Sequence, residues 1–124
     1  MPNVRKSAAW VLLALVLSVH LVTLYWPGGP DEGPAFFPHA DKVVHVVAFG
    51  APAYLLRRLR DRWWPILLLA LHAPVSELIQ HYFFRWRSGD PWDVVADLVG
   101  VAAGVLVARL VRSNGNITLN STHT

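Results

Sequence analysis

The sequence predicts an all-α protein, an integral membrane four-helix bundle, and three observations predict it. Hydrophobic residues make up 54% of the 124 and charged residues only 15%, too apolar for a soluble domain with this much surface to keep wet. The apolar residues fall into four runs, most of them close to the ~20 residues that cross a ~30 Å hydrocarbon core. The basic residues cluster beside those runs, where they would orient spans in a membrane.

A chain of 124 residues is one domain at most, and residues 1–112 are expected to form it. The chain has no cysteine, which excludes disulfides and thiolate metal sites. Its net charge of +3 sits at the ends of apolar runs, which points to membrane lipids as partners and away from nucleic acid.

The first span is expected at 8–26, which is 19 residues, preceded by Arg5 and Lys6. A charged start also suits a secretory signal. The apolar stretch is longer than the usual ~7–15 residues of a signal core, and no clean small-x-small site follows, so a retained span is expected. Tyr25 and Trp26 would mark its far interface. His20 and Thr23 read as helix–helix hydrogen-bonding groups. Pro27 to Pro38 is a Pro- and Gly-rich loop.

The second span is expected at 41–59. Its apolar heart, Val43 to Leu56, has 14 residues, so a crossing needs the flanks, with Arg57 and Arg58 reaching out to the interface. Arg57 to Arg62 is a dense basic turn, and Trp63 and Trp64 follow as interface anchors. The third span is expected at 65–84, with His72 as a packing histidine, and the fourth at 94–111. Residues 113–124 are polar and aperiodic and are expected to be a disordered tail. Their two Asn-x-Ser/Thr matches are frequent by chance.

With a cytoplasmic N-terminus, eight basic residues fall inside: Arg5, Lys6, Arg57, Arg58, Arg60, Arg62, Arg109 and Arg112. Three fall outside: Lys42, Arg85 and Arg87. That bias predicts a multi-pass protein of the cell membrane with both termini in the cytoplasm.

The same directions make polar residues converge. Asp41, Lys42 and His45 lie at the outer end of the second span, Glu77, Gln80 and His81 in the outer third of the third, and Asp93 and Asp97 at the start of the fourth. Glu77 lies roughly 10 Å in, and His45 and Asp97 roughly 6 Å. Asp93 and Asp97 are four apart, and Gly100 and Gly104 continue their stripe. Gly100-x-x-x-Gly104 removes side-chain bulk, so another helix can approach the face that bears Asp97. Arg85 to Trp92 forms a charged turn between the third and fourth spans, with Arg87 and Asp90 in it and Trp86 and Trp92 at headgroup depth.

These residues resemble the VanZ-like family of small membrane proteins. The resemblance rests on Asp41-Lys42-x-x-His45 before a helix containing Phe49, on Glu77-x-x-Gln80, on Arg87 in the following turn, and on Asp90-x-x-Asp93 followed by Gly100 and Gly104. It covers about 41–104. The family commonly has Asn where this chain has Asp97. The resemblance implies a membrane protein of the bacterial cell envelope, whose namesake is associated with low-level resistance to the glycopeptide teicoplanin. It implies no known reaction.

Ionisable groups inside apolar runs ask for a reason. The cluster Asp41, Lys42, His45, Glu77, Gln80, Arg87, Asp90, Asp93 and Asp97 reads in several ways. It is an ion-pair network locking helices together, a site for an amphiphilic lipid or glycopeptide, or the acid–base centre of a membrane enzyme on lipid-linked or phosphate-bearing substrates, with Arg87 on the anion. Ion or proton passage is a further reading. His45 with Glu77 and Asp97 has ligand types for a divalent metal. One His and two acids on separate helices are not diagnostic, so no metal, cofactor or catalytic residue is assigned and an enzyme is not favoured. Ser76 and Ser88 are the only nearby hydroxyls, and neither is a nucleophile with an obvious base. Oligomeric state is not legible.

Overall fold

The computed structural model describes residues 2–26, 40–85 and 90–121, with side chains over 4–26, 40–85 and 90–114. Four helices follow in order: α1 (Pro2–Tyr25), α2 (Ala40–Leu59), α3 (Trp64–Phe83) and α4 (Pro91–Ser121), and no strand occurs among the described residues. The expected all-α class and helix number hold. The Pro27–Pro38 loop and the Trp86–Gly89 part of the charged turn lie outside the described residues.

Local chemistry explains several boundaries. Pro65 enters α3 in its first turn, where a fixed φ helps and a missing N–H costs nothing. Asp90 caps α4: its Oδ1 accepts the Trp92 N–H at 3.0 Å, Pro91 takes the first helical position, and Asp93 sits in the first turn near the positive end of the helix. Two boundaries differ from expectation. α1 begins at Pro2, so Arg5 and Lys6 are helical. α4 continues to Ser121, through residues expected to form a disordered tail. Extending an existing helix gains one hydrogen bond per residue without a new nucleus, and 112–121 contain no proline to stop it.

Val4–Tyr25 and Pro91–Asn114 are long and apolar enough to cross a membrane by length and composition, with mean hydropathies of 2.1 and 2.2. α2 and α3 carry more polar residues: Asp41, Lys42, Arg57 and Arg58 in one, His72, Glu77, Gln80 and His81 in the other.

Burial is inverted relative to a water-soluble fold. His20, Ser76, Glu77, Gln80, Asp93 and Asp97 are buried, while Leu15, Val19, Val47, Leu67, Leu71 and Leu106 are exposed. A small apolar core of Leu24, Phe49, Ala53, Ile66, Leu69, Ala73 and Val101 joins all four helices.

α2 and α4 form the most intimate pair. Gly50 faces Gly100, where an added Cβ would stand 3.1 Å from the Gly100 carbonyl oxygen. A Cβ on Gly100 would overlap the Val46 carbonyl, and one on Gly104 would overlap the Gly50 carbonyl and come 2.9 Å from the Tyr54 nitrogen. All of these obstacles are backbone, which cannot rotate away, so the helices must separate to admit any side chain. At the far end, Arg112 donates to the Asp61 carboxylate (3.1 Å) and the Arg57 carbonyl (2.9 Å), and the Arg57 guanidinium lies 4.0 Å over the Trp63 ring. Arg60 lies over Trp10 at 5.4 Å, bringing the start of α1 to that same basic end.

Gly100→Ala and Gly104→Ala should each destabilise the fold by about 1–3 kcal/mol through overpacking. Gly50→Ala should cost less, since its nearest obstacle lies at 3.1 Å. Thermal unfolding of the purified variants, followed by helical circular dichroism, checks the order; equal midpoints would show that the two backbones are not in contact.

Candidate functional site

The site is built from the first turns of α2 and α4 and the last third of α3. Because α2 and α4 touch backbone to backbone, the short side chains near their N-terminal ends can meet. Lys42 Nζ donates to Asp41 Oδ2 (2.7 Å), Asp90 Oδ2 (2.7 Å) and Asp93 Oδ1 (2.5 Å). An ammonium has three protons, and all three are engaged. Lys42 ties the start of α2 to the cap of α4. Its hydrogen bond holds the Asp90 carboxyl below its ordinary range, helped by the Trp92 N–H.

One turn deeper the pairing changes. His45 Nδ1 lies 2.7 Å from Asp97 Oδ1, and its Nε2 lies 3.5 Å from Asp93 Oδ2. Asp97 is fully buried. Glu77 reaches over from α3, where its Oε2 accepts the Asp90 N–H at 3.0 Å. Its Oε1 is buried and accepts nothing, and the same is true of Asp97 Oδ2. Leaving a buried carboxylate oxygen unpaired costs at least ~1–3 kcal/mol, so two such atoms in one small space are unusual.

The structure therefore brings together Asp41, Lys42, His45, Glu77, Asp90, Asp93 and Asp97. Gln80 lies elsewhere: its Nε2 donates to the Leu24 carbonyl at 2.7 Å, pinning the end of α1 to α3. Arg87 and Ser88 lie outside the described residues. Ser76 is buried and donates to the Ala73 carbonyl (2.9 Å). His81 is exposed and meets the Tyr82 ring edge-on.

A second polar array joins α1, α2 and α3. His20 Nδ1 lies 2.7 Å from the Ala48 carbonyl, His20 Nε2 3.0 Å from His72 Nδ1, and His72 Nε2 2.6 Å from the Tyr25 hydroxyl. A carbonyl only accepts, so His20 must donate from Nδ1. His72 then donates from Nδ1 to the bare His20 Nε2, and Tyr25 donates to His72. Every link is satisfied with neutral rings. His20 was expected to bond across helices and does. The pairing of Tyr25 with His72 was not legible, because the partners lie 47 residues apart. The Asp90 cap was legible in principle, since Asp followed by Pro and then Asp two residues later is a helix-start pattern.

A scan against protein-family models matches VanZ/LLP1 over residues 3–112. The chain belongs to the VanZ/LLP1 family. The match takes in all the clustered residues and nearly the whole chain. Neither the curated proteins nor the solved structures compared with it gave a match. In this VanZ/LLP1 chain, then, the residues that carried the resemblance from Asp41 to Asp93 are largely the ones the fold gathers at one end.

Lys42→Met should leave Asp93 without its ammonium and lower stability by about 3 kcal/mol. Asp41→Asn, on a side chain 57% exposed, should change it by less than about 0.5 kcal/mol. Thermal unfolding of both proteins decides; equal effects would mean that Lys42 is held for its surface charge alone.

Proposed function

We propose that this VanZ/LLP1 protein is a multi-pass membrane protein of the bacterial envelope that binds the polar head of an amphiphile at the outer end of α2 and α4. Its inverted burial supports the membrane setting: hydrocarbon accepts exposed Leu and Val and forces polar groups inward. The gathering of Arg57, Arg60 and Arg112 with Trp10 and Trp63 at one end supports a cytoplasmic face there. The Lys42 cluster, at the opposite end of the same helices, then faces outward.

One observation carries the binding reading. A groove of about 620 Å³ runs between α2 and α4, with Asp41, Lys42, Asp90 and Trp92 at its mouth and Val46, Val95, Ala96 and Val99 along its walls. A charged mouth continuous with apolar walls matches a molecule with a polar head and an acyl or aryl tail. Lys42 is already saturated by three carboxylates, while Asp41 and Asp90 keep exposed surface, 57% and 38% of their side chains. The mouth therefore favours a head that bears a protonated amine, as in an amine-bearing lipid or glycopeptide, over a bare phosphate.

A fluorescent long-chain amine titrated into the protein in lipid nanodiscs should bind saturably and more tightly than a long-chain phosphate of equal length. Val99→Trp, at an exposed position that fills the groove, should weaken binding at least about tenfold without changing stability. No saturable binding, or equal binding by the variant, would end this reading. Orientation is tested separately on the cysteine-free background. A membrane-impermeant maleimide should label Arg85→Cys in intact cells and Asp61→Cys only after permeabilisation; equal labelling would overturn the topology.

A further inference from the structure

We propose that His45, Glu77 and Asp93 form a site for one divalent transition metal ion, with Asp97 orienting the imidazole. The site lies about one helical turn deeper than the Asp41–Asp90 mouth, and the inference does not depend on amphiphile binding.

The geometry supplies a ligand set. One nitrogen of His45 and one carboxylate oxygen each from Glu77 and Asp93 lie within 4.8 Å of one another. Donors at ~2.1 Å from one ion stand ~3.4–3.6 Å apart in tetrahedral or trigonal arrangement, so closing the set needs side-chain movement of at most about 1.4 Å. Three helices supply the three donors, so each is held by its own backbone. The donor set of one imidazole nitrogen and carboxylate oxygens suits Zn²⁺ or Mn²⁺, whereas Mg²⁺ and Ca²⁺ prefer oxygen alone.

Two further observations point to a cation. The first is the direction of the His45 ring. If Nδ1 donates its proton to Asp97 at 2.7 Å, then Nε2 of the neutral ring presents a lone pair to Asp93 Oδ2 at 3.5 Å. A lone pair facing a carboxylate needs a positive charge between them, a proton or a metal ion. A separation of 3.5 Å is longer than an ordinary N–H···O bond but matches two donors on one ion at ~2.1 Å. The pairing of carboxylate, imidazole and open nitrogen is also how a metal-bound histidine is commonly oriented. The second is the orphaned oxygens. Glu77 is 6% exposed and Asp97 is fully buried, yet Glu77 Oε1 and Asp97 Oδ2 accept no hydrogen bond. Charge makes the same point by contrast. The neighbouring acidic trio of Asp41, Asp90 and Asp93 converges in the same way, and there the Lys42 ammonium sits on all three. The deeper trio shares only Asp93 with it, and Glu77 Oε1 receives no such donor.

The test uses full-length protein with a tag that contains no histidine, purified in detergent without chelator. Titration with Zn²⁺ and with Mn²⁺, followed by calorimetry and elemental analysis after desalting, should give one tightly held ion per chain for at least one metal. His45→Ala and Glu77→Gln should each lower the affinity at least tenfold, the scale on which such sites lose metal when a ligand or its orienting partner is changed. Asp97→Asn keeps an oxygen acceptor for the His45 Nδ1 proton and should lose less than Asp97→Leu. Asp61→Asn, at the opposite end, should bind as the unaltered chain does. If the His45 and Glu77 variants do not fold, X-ray absorption of the metal-loaded unaltered protein still decides. It should show one imidazole and oxygen donors at ~2.0–2.2 Å. Absence of a saturable ion, an unaltered affinity in folded His45→Ala and Glu77→Gln, or a bound metal without an imidazole signature would overturn the proposal.

Discussion

The close backbone contact of α2 with α4 is the constraint on which the rest of this structure depends. Packed helix axes ordinarily stand ~8–10 Å apart, held off by side chains. Here Gly50, Gly100 and Gly104 remove those side chains, and any Cβ at Gly100 or Gly104 would strike the facing backbone. The consequence reaches two turns along the helices. Lys42 and His45 project from α2 at the level of Asp93 and Asp97 on α4, and their bonds of 2.5–2.7 Å need that proximity. A separation larger by even ~1 Å would stretch them beyond hydrogen-bond range and strand carboxylates that are nine-tenths buried or more.

Inverted burial follows from the same arithmetic of partners. A polar group is stable inside only with a mate, and this fold supplies one at most positions. Gln80 has the Leu24 carbonyl, Ser76 the Ala73 carbonyl, and the two histidines of the inner array have each other, Tyr25 and Ala48. These bonds also do mechanical work, because α1 contributes little polar surface of its own and is held partly through His20, Leu24 and Tyr25. Among the described residues three buried side-chain atoms have no partner: Arg57 Nη1 at the basic end, and the two open oxygens of Glu77 and Asp97, which share one place. Structural ion pairing accounts for Lys42 and its three acids. It does not account for these two atoms, which is why the deeper half of the cluster is read as a place for something else.

Membership of the VanZ/LLP1 family, the four helices and most of the cluster were legible in the residues themselves. Charged side chains interrupt apolar runs at Asp41, Glu77 and Asp93, and antiparallel helices place those interruptions at one end, whatever the packing. The glycine stripe through Gly100 and Gly104 likewise announced a close neighbour, since nothing else explains so little bulk on the acidic face. Helical continuity past Arg112 was not legible, because polarity predicts solvation and not the end of a hydrogen-bond ladder.

What the sequence by itself determined, then, is the set of elements and the end of the bundle at which the acids collect, because period and apolar length are local properties of the chain. Which acid meets which base was decided only in three dimensions. Gln80 and Glu77 are three residues apart on α3, yet one bonds α1 and the other the cap of α4. Asp97 faces the Nδ1 side of His45 and Asp93 the Nε2 side. Those assignments depend on the rotation of each helix about its axis, and that rotation is set by the glycine contact and by the small core packed around Phe49.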